Sequence, residues 1–259
     1  MTKAILGKNQ VKQKLANGIA VNGTFVVTAE SALTEMLGYA GFDFIIIDSE
    51  HAPNHTMEIQ QHIRAAEISG LTPIVRVTTN EPSLILRAMD LGAGGVLVPQ
   101  VNTAAEAEAA VRAAKYGPEG TRGMAGVVRA ARYGFIGSAE YIRHAKEETL
   151  VITQVEHIEA VRNLDAILAV EGLDGVFIGP TDLSQSMGLA GQFQNPELRA
   201  VMEDVISRTL NSGKWVGSFC LDAEDARYWR SKGVKFLAIG TEGMLFAAAV
   251  KSVIGQVNA

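Results

Sequence analysis

The strongest constraint on the fold is an alternation of short apolar runs with helical patterns, which repeats eight times along the chain. Buried strands are predicted at residues 19–27, 44–48, 72–77, 95–99, 150–155, 175–178, 215–219 and 236–239. Helices are predicted between them at residues 31–37, 56–69, 82–91, 104–115, 159–169, 196–211, 223–232 and 241–254. Strand followed by helix eight times is typical of an α/β fold of the (β/α)8 TIM-barrel type, and a doubly wound open sheet is the alternative.

Composition limits the number of domains and the kinds of partner. The chain has 259 residues, 47% of them hydrophobic, which is enough for one large core, so we predict a single domain over residues 1–259. A net charge of −5 without a long basic run disfavours nucleic acid as a partner. No apolar run approaches the ~18 residues of a membrane span. The polar N-terminus does not resemble a secretory signal, and the single Cys220 excludes an intrachain disulfide. These features predict a cytoplasmic protein with no membrane partner.

One predicted strand ends abruptly in ionisable residues. Residues 42–55 read FDFIIIDSEHAPNH, in which a β-branched apolar run gives way to Asp48, Ser49, Glu50 and His51. In α/β folds the carboxyl ends of the strands are where ligands bind and catalysis occurs. Three ionisable groups at such an end indicate a functional site. The alternative is a helix N-cap at Asp48 or Ser49 followed by solvated acids.

Acids also follow two later strands. Glu156 and Asp182 each lie just past a buried run, and two carboxylates with waters suit a hard divalent cation such as magnesium or manganese. The alternatives are a first-turn helix acid for Glu156 and an N-cap for Asp182. Because both acids end neighbouring strands, the sequence favours a metal site at this end of the barrel.

An arginine and a histidine complete the distinctive residues at strand ends. Arg76 ends the run PIVRV, where its guanidinium suits a carboxylate substrate, and a structural salt bridge across the barrel mouth is the alternative. His51 is the only histidine at a predicted strand end. We expect the other histidines to be solvated: His55, His62, His144 and His157. No lysine ends a strand, and neither the nucleotide-binding glycine motifs nor a G-x-S-x-G elbow occurs.

One long segment interrupts the alternation. Residues 116–138 read YGPEGTRGMAGVVRAARYGFIGS and, because they follow the fourth strand, we expect them to leave from the catalytic face. The segment carries three arginines and three apolar residues: Arg122, Arg129, Arg132, Val127, Val128 and Phe135. We predict that the apolar residues are buried against a second subunit and that the arginines meet the distal part of a neighbour's substrate. The alternative is an ordinary excursion with solvated arginines.

Five segments together resemble a known family: IDSEHAPN, PIVRV, LGAGGVLVPQVNTAAEA, QVEHIEAVRNLDAI and DGVFIGPTDLS. In order and spacing, over nearly the whole chain, they are similar to the metal-dependent pyruvate aldolases of the HpcH/HpaI family. Members of that family include the 4-hydroxy-2-oxoheptanedioate and 2-dehydro-3-deoxyglucarate aldolases. The resemblance implies a phosphoenolpyruvate/pyruvate-type barrel, a divalent metal (magnesium, manganese or cobalt) and a homohexamer with active sites near subunit contacts.

The resemblance also implies roles for residues at matching positions. Glu156 and Asp182 would bind the metal, and His51 would be the general base. Asp90, in LILRAMDLGA, would raise the basicity of that histidine, and because it lies near a helix end we expect it to reach the histidine of a neighbouring subunit.

Three further positions would form the pyruvate site. Arg76 would contact the keto acid and stabilise the enolate, and Gln154 and the backbone at Thr181 would complete the site beside Asp182. Ser49 stands where relatives often carry glycine, and Thr181 where many carry alanine or serine, so the substrate is left open.

These observations predict a carbon–carbon lyase that reversibly cleaves a 4-hydroxy-2-oxo acid into pyruvate and an aldehyde. The runner-up is another enolate enzyme, a carboxylyase or hydrolase that acts on an oxaloacetate-like acid at the same site. A non-catalytic keto-acid-binding protein is the third alternative, and the intact set of His51, Arg76, Glu156 and Asp182 disfavours it.

Overall fold

The structure, a computed structural model that describes residues 6–259, is built around a closed barrel of eight parallel strands. The strands are β1 (Val21–Val26), β2 (Phe44–Asp48), β3 (Thr72–Arg76), β4 (Gly95–Val98), β5 (Leu150–Val155), β6 (Gly175–Ile178), β7 (Trp215–Cys220) and β8 (Phe236–Thr241). Each strand pairs with the next, and β8 pairs with β1. This closure confirms the predicted (β/α)8 TIM barrel and excludes the doubly wound open sheet.

Helices connect successive strands, and two further helices lie before β1 and after β8. They are α1 (Gln10–Ala16), α2 (Ser31–Tyr39), α3 (Thr56–Ser69), α4 (Pro82–Asp90), α5 (Ala104–Ala114), α6 (Ser138–Glu148), α7 (Ile158–Arg162), α8 (Leu164–Leu168), α9 (Pro180–Ser186), α10 (Pro196–Asn211), α11 (Ala223–Ser231) and α12 (Glu242–Val257). The helix predicted at residues 159–169 is two short helices that meet at Asn163. Over residues 6–259, no helix has the length and apolar character to cross a membrane.

The core has two layers because the strands are buried on both faces. Inside the barrel, Phe44 stacks on Phe236 with ring centroids 4.1 Å apart. Gly23 makes this stack possible, since a Cβ there would lie 2.4 Å from the Phe44 ring. Outside the barrel, branched aliphatic side chains pack the sheet against the helices. Close packing on both faces fixes the strand ends, and therefore the side chains that project from them.

The long segment between α5 and α6 lies at the end of the barrel opposite to the carboxyl ends of the strands. It follows helix α5, which has already returned to the amino ends of the strands. Ala130 and Arg132 accordingly line a cavity of about 440 Å3 together with Pro73, Gly94 and Thr149, which lie at the starts of β3, β4 and β5. The prediction that this segment leaves from the catalytic face is therefore wrong.

Candidate active site

A buried ion pair between Asp48 and Arg76 forms the centre of the site. The register of β2 and β3 places the two residues side by side at the carboxyl ends of the strands. Arg76 donates from Nε to Asp48 Oδ1 at 3.0 Å and from Nη2 to Asp48 Oδ2 at 2.7 Å. The Phe25 ring centroid lies 4.9 Å from Arg76 Cζ and covers the guanidinium. This bidentate pair fixes the orientation of Arg76 before any substrate binds.

Glu50 and His51 lie on the loop that follows β2. Their backbone N–H groups donate to Asp48 Oδ1 at 2.9 and 3.3 Å, so Asp48 also shapes this loop. Glu50 Oε2 lies 3.1 Å from Arg76 Nη1 and 3.8 Å from His51 Nε2. The His51 side chain is 63% exposed, which leaves its ring accessible to solvent at the barrel mouth.

Glu156 follows β5 directly and is 2% exposed. Gln154 Nε2 donates to Glu156 Oε2 at 2.7 Å, and the backbone N–H of Gln100 donates to Glu156 Oε1 at 2.7 Å. Gln154 Oε1 is buried without a hydrogen-bond partner. A carboxylate with lone pairs to spare and an unused amide acceptor are therefore adjacent, which suits a cation.

Asp182 lies in the first turn of α9, after β6, and is half-buried. Gly179, which joins β6 to α9, keeps the space beside Glu156 open. A Cβ at this glycine would lie 3.0 Å from Glu156 Oε2 and 3.2 Å from Gln154 Nε2. Since φ of Gly179 is −98°, lack of space rather than backbone conformation explains why a glycine is needed here.

The crowding of carboxylates changes their acidity. Burial raises the pKa of Glu156 to about 7; the Gln100 hydrogen bond opposes this shift, and the nearby Glu50 and Asp182 add to it. Burial likewise raises the pKa of Glu50, against the opposing charge of Arg76. Raised pKa values in a cleft indicate acids that a bound cation would hold in the carboxylate form.

The structure brings most of the predicted site residues to one end of the barrel: His51, Arg76, Gln154, Glu156, Thr181 and Asp182. Asp90 does not join them. It is the last residue of α4, at the opposite end of the barrel, where Asp90 Oδ1 accepts a hydrogen bond from Arg122 Nη2 at 2.7 Å. Within one chain Asp90 and His51 therefore do not meet.

No specific role was assigned from the sequence to three residues of the site, which are Asp48, Glu50 and Gly179. Asp48 and Glu50 were recognised as strand-end acids, but their function as the anions that hold Arg76 depends on the β2–β3 register. The sequence did contain a signal for them, because an arginine that ends an apolar strand is buried and needs anions nearby. Nothing in the sequence except the glycine itself indicated that the space beside Gly179 would be open.

Two predictions about the arginines of residues 116–138 are wrong. The Arg122 side chain is fully buried, paired with Asp90, and its Cζ lies 4.5 Å from the Tyr116 ring centroid. Arg129 donates from Nη2 to Glu67 at 2.7 Å. Both arginines are held inside their own chain, so they are neither solvated nor available to a neighbour's substrate.

His62 was predicted to be solvated and is completely buried. Its Nε2 lies 3.0 Å from the carbonyl oxygen of Thr28 and must donate to it, so Nδ1 accepts from the Thr34 hydroxyl at 2.9 Å. Burial lowers the pKa of His62, which keeps the ring neutral. The histidine therefore ties α3 to α2 and to the end of β1, which is a structural role.

Comparisons with known proteins agree with this architecture. A family model described as HpcH/HpaI aldolase/citrate lyase matches residues 22–249. The hydroxypyruvate/pyruvate aldolase of Pseudomonas aeruginosa is 39% identical over 249 residues, which cover 96% of this chain and 92% of the relative. The 4-hydroxy-2-oxo-heptane-1,7-dioate aldolase of Escherichia coli is 38% identical over 253 residues, which cover 97% of this chain and 96% of the relative.

A solved structure shares the whole fold. The HpcH/HpaI aldolase/citrate lyase family protein from Burkholderia cenocepacia superposes with a TM-score of 0.92 at 32% identity, over 97% of this chain and 100% of the other. With a family model that spans most of the sequence and relatives that match it almost end to end, the chain belongs to the HpcH/HpaI aldolase/citrate lyase family.

Proposed function

We propose that this protein is a divalent-metal-dependent aldolase that reversibly cleaves a 4-hydroxy-2-oxo acid into pyruvate and an aldehyde. It is a carbon–carbon lyase, in line with the aldolase activity named for the relatives from P. aeruginosa and E. coli. The observation that carries the proposal is the position of Glu156 and Asp182 beside Arg76 in one cleft. Two acids can hold a cation, and a fixed guanidinium beside them can stabilise the oxygens of a 2-oxo acid.

The acid pair fits a hard divalent cation. Gln154 Oε1 is a buried acceptor without a partner, and Gly179 leaves open space next to Glu156. Among residues 6–259, no group of three or more histidine, cysteine or acidic side chains is arranged to hold a metal by itself. Glu156 and Asp182 would therefore share the cation with water and substrate oxygens. A bound cation (magnesium, manganese or cobalt) supplies Lewis-acid polarisation of the 2-oxo group.

His51 and Arg76 perform the bond cleavage in this proposal. His51 takes the proton of the C4 hydroxyl, and the C4–O bond becomes the carbonyl of the aldehyde as the C3–C4 bond breaks. The electron pair of that bond moves into the enolate of pyruvate, whose negative charge Arg76 offsets. Because Asp48 already holds the guanidinium in place, this stabilisation needs no reorganisation during the reaction. A proton added at C3 then gives pyruvate.

Gln154 and Thr181 orient the keto acid in this proposal. The amide of Gln154 is fixed by its hydrogen bond to Glu156. The backbone N–H of Thr181 lies at the second position of α9, before the first internal hydrogen bond of that helix, from Leu183 N to Gly179 O. N–H groups at this position suit a carboxylate.

We also propose that the protein is a homo-oligomer, with a hexamer as the specific expectation. Glu242 is the only buried residue of α12, while Phe246 and Val257 on the same helix are 63% and 76% exposed. An open groove lies between α2 and α11, lined in part by Phe42 and Ala226. Each chain therefore has both an exposed apolar helix and an open apolar groove. This supports a dimer contact in which α12 of each copy packs into the groove of the other.

The position of Asp90 supports the same proposal. Its carboxylate lies at the helix C-terminus, where an acid is unfavourable, and Arg122 holds it there. A second copy that packs this end against the barrel mouth would bring Asp90 to the partner's imidazole. Residues 116–138 lie at the same end and expose Val127 and Phe135, which are 75% and 85% accessible.

The test is a screen of purified protein with pyruvate, a panel of aldehydes and several divalent metals, with hydroxypyruvate as a second donor. The proposal expects metal-dependent aldol formation with pyruvate and its reversal with the product. Release of pyruvate from an oxaloacetate-like acid without an aldehyde would favour the carboxylyase or hydrolase instead. Binding of pyruvate with no reaction under any of the metals would contradict the enzyme assignment.

A further inference from the structure

Gln100 has a backbone conformation that side chains disfavour. Its φ is +56°, in the left-handed region where the Cβ of a non-glycine residue meets the backbone. The residue is exposed and lies between two buried neighbours, Pro99 and Val101, just after β4. Among residues 6–259, the other non-glycine residues with positive φ are Arg132 and Tyr133, both at the opposite end of the barrel.

The consequence of this conformation is the direction of the Gln100 N–H. Although the residue is exposed, its N–H points inward and donates to Glu156 Oε1 at 2.7 Å. Gln154 Nε2 donates to the other oxygen, also at 2.7 Å. The two donors together hold the carboxylate in one orientation and leave further lone pairs on both oxygens. Strained backbone that survives in a structure tends to lie where function requires it.

We propose that Gln100 is a positioning residue, whose left-handed backbone aims its N–H at Glu156 and thereby sets the orientation in which Glu156 meets the metal. The proposal rests on Glu156 being a metal ligand in the proposed function. It assigns the effect to the backbone, and the Gln100 side chain has no part in it. Hydrogen bonds to a ligating carboxylate orient it and tune its affinity for the metal.

Two substitutions at position 100 separate backbone from side chain. Gln100→Gly adopts the same φ without strain and keeps the N–H, so we expect unchanged Mn2+ affinity and a Tm higher by about 2–4 °C. Gln100→Val introduces a β-branched residue that resists positive φ, so the N–H turns away from Glu156. We expect its Mn2+ affinity to fall by about 10- to 100-fold.

Tyr133 provides a matched control because its φ is also +56° and it is exposed at the far end of the barrel. Tyr133→Gly and Tyr133→Val should shift Tm in the same directions as the substitutions at Gln100 and leave Mn2+ affinity unchanged. Affinity is measured by calorimetric titration of Mn2+ into chelator-treated protein, at one protein concentration. Wild-type affinity in Gln100→Val overturns the proposal, as does an equal loss in Tyr133→Val or in Gln100→Gly.

A second readout needs no metal. Exchange of the Gln100 amide with deuterium, followed by NMR in metal-free protein, should be slow in the wild type and fast in Glu156→Ala. Fast exchange in the wild type would overturn the proposal. If the wild type shows slow exchange but binds no Mn2+, the metal role of Glu156 fails, and with it the proposed function, while the hydrogen bond itself stands.

Discussion

The two ends of the barrel both bury an arginine against acids, but they differ in charge balance. At the carboxyl ends of the strands, Arg76 is paired with Asp48 and Glu50. Asp182 lies close enough to help raise the pKa of Glu156, and both acids belong to the same cleft. This end of the barrel therefore has more carboxylates than its single guanidinium can neutralise.

At the opposite end acids are not in excess, because two acids are paired with three arginines. Arg122 pairs with Asp90 at 2.7 Å, and Arg129 and Arg132 share Glu67 at 2.7 and 3.1 Å. Buried or half-buried pairs of this kind hold the chain together, and they leave neither acid unpaired to bind a cation. The comparison teaches that a buried arginine alone does not mark a catalytic site. In the proposed function, it is the excess of acids around a fixed arginine that distinguishes the catalytic end.

The largest expected effect comes from removing one acid of the unbalanced end. Glu156→Ala or Asp182→Ala should bring aldol cleavage to background and abolish Mn2+ binding, because one carboxylate is left to hold the cation. Circular dichroism and Tm should show an intact fold. Glu67→Ala, at the opposite end of the barrel, is the control and should keep its kcat. A fully active Glu156→Ala would remove the basis of the comparison.

The next effect concerns the base. His51→Ala should lower kcat for aldol cleavage by about 10²- to 10⁴-fold while retaining Mn2+ binding. Co-expression of His51→Ala with Asp90→Ala tests whether Asp90 of one copy acts on His51 of another copy. Mixed oligomers should regain activity at sites that combine His51 from one copy with Asp90 from the other. If the purified mixture is no more active than either variant alone, Asp90 does not act on a partner's histidine.

Lysine substitutions of Arg76 and Arg129 should differ in their effect on kcat/KM, by a smaller factor than the substitutions above. Arg76→Lys keeps the charge and loses the planar fork, so kcat/KM should fall by about 10²- to 10³-fold. Arg129→Lys should leave kcat/KM unchanged and lower the free energy of unfolding by about 1–3 kcal/mol, since it weakens the contact with Glu67. Steady-state kinetics and urea unfolding measure the two quantities. Equal kinetic losses in both variants would show that the ends do not differ in function.

The last effect is a pH dependence of stability, which involves no loss of activity. The pKa of Glu156 rises from 4.5 to about 7 on folding, so between these values the metal-free folded state binds a proton that the unfolded state has lost. The contribution of Glu156 to the free energy of unfolding is therefore greatest below pH 4.5. It falls by up to about 3 kcal/mol as the pH rises to about 7. Glu156→Gln should lack this loss. Parallel curves for the two proteins in chelator would contradict the raised pKa.

The strands could be predicted because each has a local signal. Continuous apolar residues, which end at Asp48 in β2 and begin after Gly175 in β6, predicted these two strands with the bounds that the structure has. Ile19 was predicted to lie in β1 but is 53% exposed, because the strand begins at Val21. The far-end location of residues 116–138 was missed because their order after β4 was considered without the intervening helix.

The site was less predictable because it depends on register and burial. That Asp48 meets Arg76 follows from the β2–β3 register, which sequence does not reveal. Burial of His62 did have a signal, since it shares the helical face of the buried Ile59 and Ile63. The left-handed backbone at Gln100 had none, because glutamine there gives no indication of positive φ.

The most direct test of the central claim is exchange of the pyruvate methyl protons in deuterium oxide, followed by proton NMR. If the unbalanced end holds a cation beside Arg76, wild-type protein with Mn2+ or Mg2+ should catalyse exchange, because the enolate forms without any aldehyde. Chelator treatment or Asp182→Ala should stop the exchange, and Glu67→Ala should not. Undiminished exchange in chelator-treated protein, or none with any divalent metal, would contradict the account.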